Sequence, residues 1–338
     1  MPSAPSVLLA KVGIQLQLGQ PLAEPSRVTG GLLHRMWRIE TTGGVYAVKQ
    51  LAAHIDLNDP LIRRNYEWAE TVAASFAAQG VPAIAALNRD GQHVFAVEGS
   101  YFLVYPWVDA VALSTETISE PHAVKIAGVL AKIHQLKLPL LLPEAPVFVP
   151  YSSAYLLELI EKAEDCHCPF AADLRQHQDA LLAMNQAYAA AIPALQKVQC
   201  IVHGDLDQKN VLWDQQQQPI LIDWEAAGLL NPCYDLINTC LYWSGMTTVH
   251  FDQAVFLKMI QAYQEAGGVI DLNVLQPAFA GVYSWINWMV YCIECACAPL
   301  ASESKTQGMQ QVPQTLHALL RLRDAMPGLI AEIKSQVG

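Results

Sequence analysis

The chain has 338 residues, 53% of them hydrophobic and 15% charged, with a formal net charge of −11. That length can enclose a large core and suggests two lobes. The acidic balance and the absence of any basic stripe argue against nucleic acid as a partner.

The N-terminal "MPSAPSVLLAKVGIQ" has no basic segment before its brief apolar run, so it does not read as a signal peptide. The first hundred residues read as mostly strand with one helix. "RVTGGLLHRMWRIETTGGVYAVKQL" contains two Gly-Gly pairs. Gly43-Gly44, between two β-rich runs, reads as a hairpin turn, and Gly30-Gly31 opens a loop before the strand containing Trp37. "PLIRRNYEWAETVAASFAAQG" follows as a helix ended by Gly80 and Pro82. "HVFAVEGSYFLVYPWVD" gives two more strands across Gly99, the second ended by Pro106. Beyond Asp109 the texture turns helical. "SEPHAVKIAGVLAKIHQL" is an amphipathic helix with Ser119 as N-cap and Pro121 close behind. Long Ala-, Leu- and Gln-rich segments follow, interrupted by three short β-like runs, "QCIVHG", "NVLWD" and "PILIDW", with Gln215–Gln218 as a turn. The remainder is helical, and no internal repeat occurs.

The chain thus divides into an N-terminal lobe, residues 1–107, and a mainly helical lobe, residues 108–338, that carries a small hairpin. Eight cysteines in so long a chain suit reduced thiols better than a disulfide-stapled secreted domain. "CHC" at Cys166–Cys168 has no second ligand pair at zinc-finger spacing, and "CIECAC" at Cys292–Cys297 reads as buried helix. The most apolar stretch, "WINWMVYCIECACAPLA", carries Glu294 and stops short of spanning length. A cytoplasmic protein without a membrane partner is expected.

The chemistry concentrates in "IVHGDLDQKNVLWDQQQQPILIDWE", Ile201 to Glu225, where five carboxylates sit between apolar runs. Asp205 and Asn210 share one loop, and Asp223 ends a neighbouring strand. Such a set can converge on a hard cation: magnesium takes oxygen ligands and holds substrate phosphates at the same time. A carboxylate left over can take the proton of an attacking hydroxyl. His-x-Asp-x4-Asn followed by a metal-binding Asp is the kinase signature, and "VYAVK" matches its lysine strand at Lys49. No Walker A sequence occurs, which excludes a P-loop ATPase. No Asp-Phe-Gly or Ala-Pro-Glu bounds an activation segment, which disfavours a protein kinase.

"VHGDLDQKNVL" followed by "LIDWEAAGLLNPCYDL" resembles the aminoglycoside phosphotransferase and choline kinase superfamily. Glycine after the histidine and "IDWE" in place of Asp-Phe-Gly are typical of these small-molecule kinases. The resemblance runs from about Val28 to Trp243. It implies an α+β, protein-kinase-like two-lobe fold, with a small antiparallel-sheet N-lobe and a larger helical C-lobe. By the same resemblance Asp205 is the catalytic base, and Asn210 and Asp223 hold magnesium bridging the phosphates of ATP or GTP. Lys49 contacts the α- and β-phosphates and His203 braces the loop. The Gly30-Gly31 loop covers the nucleotide, and the backbone around Tyr105–Trp107 binds adenine. A helix glutamate positions Lys49. Tyr66, Ala69, Ala73, Phe76 and Ala77 form the apolar face of that helix, and Glu70 lies on it more nearly than Glu67, which favours Glu70.

For the acceptor, Asp207 and Glu225 add negative charge near the reaction centre, and Trp285 and Trp288 share a helix face in "GVYSWINWMVYCIE". Aromatics so placed can box a cation, although an aromatic pair at this spacing is more often core. Asp235 resembles a structural aspartate that braces the catalytic loop. The reading is a kinase for a hydroxyl of a small cationic molecule, an amino sugar or aminocyclitol. The alternatives are choline, ethanolamine or another metabolite (a sugar, homoserine, a vitamin alcohol), or a non-catalytic nucleotide-binding pseudokinase.

Overall fold

The computed structural model describes residues 4–28, 34–53, 55–114, 117–140, 149–248, 250–298 and 303–337. Helix α1 (Ala4–Gln15) precedes strands β1 (Ser26–Val28), β2 (Arg35–Thr41) and β3 (Gly44–Gln50). Helix α2 (Pro60–Ala78) follows, then β4 (Phe95–Val97), β5 (Ser100–Pro106) and β6 (Val111–Ala112). Next come α3 (Glu120–Gln135), α4 (Ser153–Asp165), α5 (Ala171–Gln176) and α6 (Gln178–Leu195). Short strands β7 (Cys200–Val202), β8 (Val211–Trp213), β9 (Pro219–Leu221) and β10 (Gly228–Leu230) then precede α7 (Pro232–Trp243). Helices α8 (Gln253–Glu265), α9 (Leu275–Gly281), α10 (Trp285–Ala296) and α11 (Glu303–Val337) complete the described chain. The described residues fall into two compact units. One lies within Met1–Leu113, Leu138–Pro143 and Lys209–Ala227, the other within Ser114–Lys137, Glu144–Gln208 and Gly228–Gly338.

The first unit is built on an antiparallel sheet ordered β1-β2-β3-β5-β4. Thr41 pairs with Gly44, so Thr42 and Gly43 make the turn of the β2–β3 hairpin. Gly43 is required there, because a Cβ would stand 2.4 Å from the Leu18 carbonyl oxygen. Strand residues alternate between faces. Phe102, Val104 and Val48 pack with Leu9 and Val12 of α1 and with Leu16 just after it, whereas Leu103 and Tyr105 pack with Leu51, Leu57, Ile62 and Tyr66. Each fully buried side chain of this kind contributes roughly 1.5–3 kcal/mol. Lys49, one residue after Val48, is turned by the same alternation toward the α2 side. Helix α2 starts at Pro60 and is capped by the Asp59 carboxylate, which accepts the Leu61 N–H at 2.8 Å.

Two features of this unit differ from the sequence reading. The described residues among the first hundred hold two helices rather than one, since α1 covers a face of the sheet. Leu9, Val12 and Leu16 recur at helical spacing, but Gly13 interrupts the run and the segment is short. The β8–β9 hairpin belongs to the N-terminal sheet unit. The Leu221 N–H donates to the Pro82 oxygen at 2.7 Å, the Ile84 N–H donates to the Leu221 oxygen at 3.0 Å, and Phe76 stacks on Trp224 at 5.3 Å. The glutamine run is a turn, organised by the Asp214 carboxylate accepting the Gln216 and Gln218 N–H groups at 2.8 Å each.

The second unit is helical. Ile126, Leu130 and Ile133 give α3 a buried face, and α7, capped by the Asn231 side chain, is buried along nearly its whole length. A polar chain runs through this core: His134 bonds Asp235 at 3.0 Å through Nε2 and the Tyr263 hydroxyl at 2.9 Å through Nδ1. Strand β7 pairs with β10, an antiparallel partner that the sequence reading does not contain. The two cysteine clusters meet here, with Cys168 Sγ 3.8 Å from Cys297 Sγ. Among the described residues, no group of three or more His, Cys, Asp or Glu could hold a metal. No described helix is long and apolar enough to cross a membrane.

Candidate active site

Lys49 is buried within the first unit, and its ammonium is gripped by two carboxylates. Nζ donates to Asp223 Oδ1 at 2.7 Å and to Glu225 Oε2 at 2.9 Å. Burial works against the charge, but Asp223 and Glu225 more than offset it and raise the Lys49 pKa above its ordinary value. Glu225 also meets His34, whose Nε2 lies 3.2 Å from Oε2. The Ala52 N–H donates to His34 Nδ1 at 3.1 Å, so Nε2 bears the ring proton and donates to Glu225. Burial disfavours the Glu225 charge, yet the bonds from His34 and Lys49 outweigh it and hold its carboxyl at about 2. Tyr66 of α2 faces this cluster, and burial and Glu225 push its phenol to about 12.

The segment carrying both carboxylates is fixed by its backbone and by one large side chain. Asp223 sits in the left-handed region at φ 64, ψ 61, which Asp tolerates better than most residues. The chain thereby leaves the line of β9. Trp224, almost wholly buried on Phe76, pegs the turn and donates its indole N–H to the Leu221 oxygen at 3.4 Å. Asn210 lies at the open end of the same hairpin: Val211 pairs with Leu221, and the Ile222 N–H donates to the Asn210 backbone carbonyl oxygen at 3.0 Å. The ladder therefore brings Asn210 and Asp223 to one end, as their spacing predicts.

The expected ion pair between Lys49 and Glu70 is not formed. Glu70 is buried, as the helix periodicity predicts, but its carboxylate accepts the Ala86 N–H at 2.6 Å and the Tyr105 hydroxyl at 2.6 Å. Glu67 accepts the N–H groups of His93 and Val94 at 2.6 and 3.1 Å. Both acids are occupied by donors nearer to them than Lys49. Burial raises the Glu70 pKa, opposed by Tyr105, Ala86 and Lys49. An acid with a raised pKa adds stability that is complete below its ordinary value of 4.5 and is lost as pH climbs through the raised one. Glu70→Gln removes that loss, so its melting temperature should gain on that of the wild type as pH rises above 4.5. Fluorimetric melts over rising pH check this; a constant difference would refute it.

In the second unit the loop after β7 is held from both ends. Gly204 takes φ 81, a conformation that favours glycine, and the Asp205 N–H donates to Nδ1 of the buried His203 at 3.3 Å. The Trp243 indole N–H donates to the Leu206 oxygen at 2.9 Å, and the Gln208 amide to the Tyr242 oxygen at 2.7 Å. Tyr242 is half-buried next to this loop. Burial, then Asp205 and Asp207, drive its phenol pKa well up. Its ring lies 5.2 Å from Trp285, whose indole N–H donates to Asn238 at 2.9 Å. Trp288 instead stacks on Tyr291 at 5.4 Å and donates to Gln311 at 3.4 Å. The two indoles thus lie in different environments. Asp235 is bound to His134, a core brace rather than a ligand-facing group.

Three further expectations meet the structure unevenly. Glu225, read as facing an acceptor, is engaged by Lys49 and His34 instead. The Trp107 N–H donates to the Val45 oxygen at 3.0 Å within the sheet, so it is not available to an adenine base. Gly30 and Gly31 lie outside the described residues. The sequence reading singled out neither His34 nor Tyr242. His34 directly precedes β2, and that position beside a glycine loop was the only signal it gave.

The sequence model of the phosphotransferase enzyme family, APH, matches residues 24–271. No curated protein matches the chain. Among solved structures, the spectinomycin phosphotransferase APH(9)-Ia, in complex with ADP and spectinomycin, aligns with a TM-score of 0.66 at 12% identity, covering 93% of this chain and 97% of that one. The choline kinase LicA from Streptococcus pneumoniae aligns with a TM-score of 0.57 at 16% identity over 93% and 99% of the two chains. A Plasmodium vivax ethanolamine kinase gives 0.57 at 14% identity over 86% and 82%. At such identities the structures establish the kinase-like fold, and the family match establishes membership: the chain belongs to the phosphotransferase enzyme family and is a phosphotransferase with an alcohol group as acceptor.

Proposed function

We propose that the chain is a nucleotide-dependent kinase that transfers a phosphoryl group from ATP or GTP to a hydroxyl of a small cationic molecule, an amino sugar or aminocyclitol. The observation that carries this reading is the buried Lys49 ammonium bonded to Asp223 at the hairpin end that also bears Asn210. A lysine for phosphate oxygens beside a carboxylate and an amide is the donor set of a phosphoryl-transfer site. The side-chain oxygens of Asn210 and Asp223 suit magnesium, which keeps waters and shares its sphere with phosphates and so needs few protein ligands. When bound, the metal would neutralise charge on the transferring phosphate. Lys49 would hold the α- and β-phosphates. Asp205 would orient the acceptor hydroxyl and accept its proton. Catalysis would rest mainly on positioning and charge.

The cationic acceptor is supported by Asp205 and Asp207 around Tyr242, with Trp285 alongside. The structural relatives named for spectinomycin, choline and ethanolamine lend it further support. The test is ATP consumption with magnesium against amino sugars, aminocyclitols, choline, ethanolamine, homoserine and neutral sugars. Turnover with an amino sugar or aminocyclitol, absent from the Asp205 variant, is the expected result. Preference for choline, ethanolamine or a neutral alcohol would replace the acceptor class. Nucleotide binding without turnover of any alcohol would mark a non-catalytic module.

A further inference from the structure

We propose that Glu225, held by His34, is the carboxylate that positions Lys49 for phosphate, in place of an acid from helix α2. This rests on the kinase reading above and names a positioning pair within it. Glu225 Oε2 stands 2.9 Å from Lys49 Nζ and 3.2 Å from His34 Nε2, and the imidazole is itself oriented by the Ala52 N–H at 3.1 Å. A buried ammonium needs a fixed counter-charge. Asp223 is the other partner, but a carboxylate shared with a divalent cation cannot give its full charge to the lysine as well. Glu225 is the partner that remains.

Helix α2 offers no substitute. It turns Tyr66 toward the cluster, while Glu67 and Glu70 are bonded to His93, Val94, Ala86 and Tyr105. The space between α2 and Glu225 is a pocket of about 240 Å³ lined by Ile62, Asn65, Tyr66 and Glu225. Lysine positioning has therefore moved from the helix to the strand-end segment that also bears Asp223. Trp224 between the two acids, stacked on Phe76, keeps that segment seated against α2.

The experiment is calorimetric titration of ADP into the full chain, with and without magnesium, for wild type, E225Q, H34A, H34Q and E70Q. E225Q should weaken ADP binding about tenfold at saturating magnesium, where Asp223 is shared with the metal, and less in chelator, where Asp223 still holds the lysine, since it removes a charge-assisted bond that orients the lysine. H34A should weaken it in the same direction and less, and H34Q, which keeps an N–H donor at that reach, should recover part of the loss. Thermal melts verify that each variant is folded, and the His34 pair decides the matter if E225Q is not. Wild-type affinity in E225Q at saturating magnesium, a loss that excess magnesium abolishes (a metal ligand's behaviour), or a larger loss in E70Q than in E225Q would overturn the inference while leaving the kinase reading intact. Wild type that binds no nucleotide would overturn both.

Discussion

Replacement of Asp205 by alanine should reduce phosphoryl transfer by roughly 10²–10⁴-fold, the contribution of a positioned general base, while nucleotide affinity stays near that of the wild type. The selectivity of the loss follows from how the loop is built. Gly204 in its left-handed conformation, the His203 ring under the Asp205 N–H, and the Trp243 bond to the Leu206 oxygen are all independent of the Asp205 carboxylate. The loop can therefore keep its course in the variant. The proposed phosphate and metal ligands Lys49, Asn210 and Asp223 are likewise unchanged. Asp205→Asn makes the sharper comparison, because it keeps the shape and loses the proton-accepting charge. Turnover of either variant at the wild-type rate with a responsive acceptor, measured as ADP release, would remove Asp205 from the role of base. Loss of nucleotide binding in parallel with turnover would make the residue structural instead.

Much of this arrangement is legible locally, because alternation and turn chemistry act over a few residues. The β2–β3 hairpin, the side of the sheet that Lys49 takes, the Asp59-capped start of α2 and the Asp214 turn all follow from such patterns. The ladder that brings Asn210 and Asp223 together follows from two short apolar runs around a glutamine turn. Partner choice is less legible. Helical periodicity puts Glu70 inside, yet a buried carboxylate takes whichever donors surround it, and those are an N–H from the loop after α2 and a hydroxyl from β5. Nothing within a few residues of His34 says that its ring reaches Glu225, 191 positions away. The aromatic helix has the same limit: one period carries Trp285 and Trp288, but Asn238 and Tyr242 on α7 meet only the first. Helix α1 was obscured for a different reason, since three buried residues around a glycine make a weak periodic signal in sequence.

Asp223 is where loss of one side chain should separate metal-dependent from metal-independent nucleotide binding. Two substitutions are needed, because the residue has two properties. Its φ of 64 is a conformation that alanine adopts at a cost of roughly 1–2 kcal/mol, so Asp223→Ala perturbs the backbone as well as the charge. Asparagine tolerates that conformation, so Asp223→Asn isolates the charge. In Asp223→Asn, Lys49 keeps Glu225 as a partner at 2.9 Å, and the phosphate-binding ammonium stays placed. ADP affinity measured in a chelator should therefore change little. The gain in affinity that magnesium gives the wild type should fall by at least about a hundredfold, equivalent to about 3 kcal/mol, because the substitution removes the one charged oxygen of the proposed ligand pair and leaves two neutral amides. Calorimetry across a magnesium series measures both quantities in one protein. Should the magnesium-dependent gain survive in Asp223→Asn, the metal would have to be held elsewhere, and Glu225, two residues on and already ionised, would be the group to substitute next.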